Sequence, residues 1–138
     1  MRIAFVIFIL SLGAWSIALA DQFVFQYHRF GGITIETTPG KEHVIIEYGE
    51  KDSPVETIFK SRLLSAGPGV YKTPKGTFFR LEHLSKPIIN DGNRRINSGD
   101  WKLTVSGSGK EFAKLKPKMP AVAFGDTPLL VYLGEKFE

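Results

Sequence analysis

The stretch SGDWKLTVSG, Ser98 to Gly107, decides the class of fold. Trp101, Leu103 and Val105 alternate with Lys102, Thr104 and Ser106, and Gly99, Gly107 and Gly109 bound the run. Successive side chains of an extended chain point to opposite sides. The pattern therefore describes a strand with one buried and one wet face, as in an antiparallel sheet.

The same period of two recurs on either side. Phe23, Phe25 and Tyr27 alternate with Val24, Gln26 and His28 before Gly31-Gly32, Ile33 and Ile35 alternate with Thr34 and Glu36, and Val44, Ile46 and Tyr48 alternate with His43, Ile45 and Glu47. Thr38-Pro39-Gly40-Lys41 has turn chemistry, so the second and third of these strands are expected to pair as a hairpin. Val70 to Lys72 and Thr77 to Leu84 flank a second turn, Thr73-Pro74-Lys75-Gly76. Asn90-Asp91-Gly92-Asn93 lies between Ile88-Ile89 and Ile96, and Phe112 to Leu115, Ala121 to Phe124 and Leu129 to Leu133 read as further strands. Roughly eight to ten short strands with closely spaced turns predict an all-β fold, an antiparallel β-sandwich of jelly-roll-like form. The spacing Gly99-x-Trp101-x-Leu103-x-Val105 resembles the late strand of exported bacterial jelly-roll domains of the pre-peptidase C-terminal type, over a string that many sandwiches share and that assigns no family.

One segment carries two readings. Ser53, Pro54 and Glu56 have the form of a helix cap, and Val55, Ile58, Phe59, Leu63 and Ala66 fall on one helical face before Gly67, which predicts a short helix over 54–65. Arg62 sits in the middle of that face, and the β-branched composition of Val55 to Phe59 supports a strand instead.

Met1-Arg2, the apolar run from Ile3 and the small residues Ala18-Leu19-Ala20 have the form of a secretory signal peptide over 1–20, with the alternative that the segment stays as an anchor. Residues 21–138 are then expected to form a single domain, exported to the periplasm or secreted. Its lack of cysteine excludes disulfides and thiolate metal sites and suits a bacterial envelope. Arg2 supplies one of the formal charges that total +4, so the processed chain is only mildly basic. Such a balance does not call for nucleic acid.

Catalytic and metal motifs fail on spacing. His28, His43 and His83 lack the paired arrangement of a metal site. Gly107-Ser108-Gly109 does not complete Gly-x-Ser-x-Gly, and Gly109-Lys110 is preceded by Thr104 and followed by Glu111, where a phosphate loop needs Gly and Ser or Thr. Arg94 and Arg95 directly after Asn90-Asp91-Gly92-Asn93 favour an ordinary turn over a calcium loop. No cofactor is expected. Phe78, Phe79, Tyr71 and Trp101 read as core rather than as a sugar-stacking platform.

The functional hint is basic. Lys110, Lys114, Lys116 and Lys118 follow the hairpin that carries Arg94, Arg95 and Lys102. In an extended segment Lys114, Lys116 and Lys118 would share one side, forming a ridge for anionic groups or, with Pro117, a guard on an exposed edge strand. The expectation is a non-catalytic exported β protein that binds an envelope component, an anionic polymer or another exported protein, with Lys110, Lys114, Lys116, Lys118, Arg94 and Arg95 as its binding residues. The alternatives are an inhibitor or assembly factor docking a protein through the loop Ser65 to Thr73, and a small hydrolase with a dispersed site.

Overall fold

The structure is a computed structural model and describes residues 21–89, 98–119 and 130–137. Among the described residues are nine strands: β1 (Gln22–His28), β2 (Gly31–Glu36), β3 (His43–Tyr48), β4 (Glu56–Arg62), β5 (Leu64–Gly67), β6 (Val70–Lys72), β7 (Phe78–Ile88), β8 (Gly99–Ser106) and β9 (Leu130–Phe137). Between the last two lie a helix, α1 (Lys110–Leu115), and a 3-10 turn, Lys116–Lys118. The expected antiparallel all-β fold is present. Every strand pair is antiparallel, and all nine belong to one sheet in the order β4-β3-β2-β1-β9-β8-β7-β6-β5.

The two outermost strands of that order, β4 and β5, are consecutive in the chain and separated by Leu63 alone. A sheet whose edges are joined by one residue must curl until they meet, and the result is a nearly closed barrel. Leu63 is buried, and its N–H donates to the Glu42 carbonyl at 2.9 Å, tying the link to the start of β3. The two facing layers expected from the sequence are the two halves of this curled sheet.

Register places the alternating apolar residues on one side. Phe59, Ile46, Ile33 and Phe25 pair in turn across β4, β3, β2 and β1, and Tyr132, Leu103 and Leu81 do so across β9, β8 and β7. These side chains, with Phe23, Tyr27, Ile35, Val44, Phe79 and Val105, form one contiguous core. The run SGDWKLTVSG is β8, with Leu103 and Val105 fully buried.

Two local expectations are corrected. The helix over 54–65 is instead β4 and the start of β5, because β3 offers a ladder to pair with, from His43 opposite Arg62 to Tyr48 opposite Glu56, with one irregularity at Ile58. An isolated helix of that length is marginal in water, whereas a strand added to a sheet exchanges a pair of hydrogen bonds at every second ladder position and packs its side chains against the neighbouring strand at all of them. Conversely, Phe112 to Leu115 is helical. Phe112, Leu115 and Met119 recur at the helical interval and are all buried in the core, which an extended chain could not achieve. The 1–20 segment, the turn Asn90 to Asn93, Arg94, Arg95 and the 121–124 strand lie outside the described residues.

Candidate functional site

Strand direction defines two ends of the barrel. β1 and β3 finish at His28 and Tyr48, where β2 and β4 begin, and the same end holds the β6–β7 turn, the close of β8 at Ser106 and the start of β9 at Leu130. The chain that follows β8 therefore enters this end, and α1 caps it.

A helix of six residues has little stability of its own. Gly109 at its N-cap provides no side-chain cap. Three anchors hold it instead. At its start, Glu111 Oε1 accepts hydrogen bonds from the Thr73 hydroxyl at 2.5 Å and the Thr77 hydroxyl at 2.6 Å. Both threonines are buried, and the Thr77 N–H donates to Thr73 Oγ1 at 3.1 Å, so the β6–β7 turn is bonded into the helix. In its middle, Phe112 and Leu115 enter the core. Beyond it, the Tyr132 hydroxyl donates to the Met119 carbonyl at 2.6 Å. Burial holds the Tyr132 proton, helped by nearby Tyr27, whose own hydroxyl is pushed up to about 12 by burial and then by Tyr48. Both phenols are donors: Tyr27 bonds the Glu47 carbonyl at 2.8 Å at the same end.

With one face of the cap held against the core, its other side is basic. Lys110, Lys114 and Lys118 follow one another at intervals of four, the spacing that stacks side chains along one side of a helix. Together with Lys75 of the β6–β7 turn they line a cavity of about 470 Å³ whose apolar wall is Ile58, Phe59 and Leu115. Glu111 is the single carboxylate among the lining residues, and one of its oxygens already serves two hydroxyls. Four ammonium groups thus face one engaged carboxylate.

Ile58 reaches this cavity through an irregularity in the ladder. Ile46 pairs with Phe59 and the next residue, Glu47, with Thr57, so Ile58 is the extra residue of a β-bulge. Bulges turn a side chain away from strict alternation, which is why Ile58 and Phe59, adjacent in sequence, both line the pocket.

The structure brings Lys110, Lys114 and Lys118 together and leaves Lys116 outside the cavity lining. The expected ridge of Lys114, Lys116 and Lys118 is therefore replaced by a helical set, and the edge-guard reading fails because the segment is not a strand: the edges are β4 and β5. Arg94 and Arg95 lie outside the described residues, and Lys102 stands opposite Glu82 on the outer wall. Lys75, Ile58 and Phe59 were not legible as site residues. The helical interval of Phe112, Leu115 and Met119 is the signal that would have grouped the lysines.

The other candidates are dispersed. His28 lies at the capped end, His43 Nδ1 donates to the Lys41 carbonyl at 2.7 Å, and His83 lies 3.3 Å from Asp100 while its ring packs on Trp101. Among the described residues no three His, Asp or Glu side chains form a group that could hold a metal. Glu36 is buried at the far end. Burial would raise its pKa, but the Thr38 hydroxyl and the Gln22 amide donate to it and hold it below the usual carboxylate range. Phe79 is buried, Phe78 is exposed on the other face, and Trp101 packs edge-on against Phe23 at 4.8 Å, so these rings share no platform. Residues from Leu64 to Gly69 are exposed in the hairpin of β5 and β6. The described all-β fold gives no positive sign of catalysis. Compared with protein-family models, curated proteins and solved structures, the chain matches none.

Proposed function

We propose that this is an exported, non-catalytic β-barrel protein that binds an anionic component of the cell envelope at its capped end. The observation that carries this reading is the convergence of Lys75, Lys110, Lys114 and Lys118 on one concave surface. Ligand sites favour the mouths of β-barrels, where a concavity removes a ligand from water and a few polar groups orient it. Lysines spread evenly over a surface would give only weak, screened attraction. Gathered at a cavity with a low-dielectric wall, they focus their field on whatever enters. The interior is not available as a binding chamber, since Tyr27, Tyr132, Phe25 and Phe79 are fully buried within it.

The test compares two triple variants of equal charge. Lys110→Glu with Lys114→Glu and Lys118→Glu alters the mouth, while Lys41→Glu with Lys86→Glu and Lys102→Glu alters the turns and outer wall. Retention on envelope fractions and on dextran sulfate is measured across a salt series. The mouth variant is expected to lose retention at low salt, and the wall variant to keep most of it. Equal loss in both would mean that net charge, not this site, governs binding.

A further inference from the structure

The lysine-lined cavity continues past Ile58. Ile58 and Lys118 also line a second cavity of about 510 Å³, whose other walls are His28, Tyr48 and Pro117. The two spaces adjoin at these shared residues but differ in chemistry. The first is ringed by ammonium groups. The second is walled by an aliphatic side chain, a proline ring and two aromatic rings with centroids 5.1 Å apart. His28 is fixed in place because its Nδ1 accepts the Phe30 N–H at 3.2 Å.

An anionic polymer alone would occupy the basic half and leave the aromatic half in water. An uncharged apolar molecule would do the reverse. A ligand that uses both must join a negative head to an apolar body, and each cavity falls within the roughly 300–1,000 Å³ typical of small-molecule sites. We propose that the joined cavities take a single-chain anionic amphiphile. Its carboxylate or phosphate head lies among Lys75, Lys110 and Lys114, and the first part of its alkyl chain runs along Ile58, Pro117 and the His28–Tyr48 pair. The assignment rests on the reading of the mouth as an anion site and names its ligand class. The filled core directs the tail along the rim rather than into the barrel.

Calorimetric titration below micelle-forming concentrations tests this with dodecyl phosphate, dodecanoate, inorganic phosphate, dodecyl maltoside and dodecyltrimethylammonium. Dodecyl phosphate or dodecanoate is expected to bind about tenfold or more tighter than inorganic phosphate, since each methylene removed from water is worth roughly a factor of four, and about tenfold or more tighter than the neutral and cationic detergents, whose heads the lysines do not attract. Which of the two binds tighter identifies the head group. Tyr48→Ser, with folding checked by thermal melting, should weaken the amphiphile while leaving retention on dextran sulfate unchanged. Lys118→Glu, an exposed substitution at the junction, should weaken both. If inorganic phosphate binds as well as dodecyl phosphate, or if the neutral and cationic detergents match it, the amphiphile assignment falls while retention on dextran sulfate leaves the anion site standing. If dextran sulfate is not retained either, both readings fall.

Discussion

Gly134 is the residue on which the fit of β9 depends. It pairs with Phe25 of β1 on one side and with Trp101 of β8 on the other. A Cβ there would strike the Val24 carbonyl oxygen and stand 2.7 Å from Phe25 Cδ1. A backbone oxygen inside a ladder cannot rotate away, so the strands themselves would have to part. Gly134→Ala is expected to destabilise the protein by about 1–3 kcal/mol, the usual range for overpacking. Gly109→Ala is the control, because its Cβ would meet only the Lys75 carbonyl at 3.6 Å, and its effect should stay within about 1 kcal/mol, as expected for an exchange at a helix N-cap. Urea unfolding followed by tryptophan fluorescence measures both. Equal midpoints would show that β9 is not held at the spacing described.

At the scale of elements, α1 depends on contacts outside itself. Glu111→Ala removes the shared acceptor of two buried hydroxyls and should cost about 1–3 kcal/mol, the penalty of leaving such groups unsatisfied. Thr77→Val removes one donor, and the double variant should be less damaging than the sum of the single ones. A coupling below roughly 0.5 kcal/mol, where independent sites lie, would detach Glu111 from this role. The same elements show what the sequence alone could convey. Strands β1, β2, β3 and β8 were legible because alternation, turn residues and burial all agree there. β4 was ambiguous because Ser53, Pro54 and Glu56 have capping chemistry, and the neighbouring strand that overrides it is a tertiary fact. α1 was hidden because alternating lysines from Lys114 to Lys118 imitate a strand, while its apolar interval spans only two turns. Three of the four lysines belonged to one site, yet the geometry that joins them to Lys75 and Ile58 depends on a fold-level crossing and a bulge, neither of which leaves a local mark.

For the molecule as a whole, strand order and chain order disagree in one informative way. The strand nearest the C-terminus, β9, lies between β1 and β8 in the sheet, with Gln22 paired to Phe137. Such distant pairings predict slow refolding, in the range of milliseconds to seconds seen for all-β domains, because the loop must close before the contacts repay it. A chain shortened to remove 130–137 should lose cooperative unfolding and self-associate, as measured by urea titration and light scattering. A sharp transition from that chain would contradict the central place of β9. Until β9 is in place, the chain therefore holds two unfinished panels, each with a raw border able to recruit a neighbour's backbone. The arrival of the final strand seals both borders at once, so the hazard of misassociation ends in a single late event.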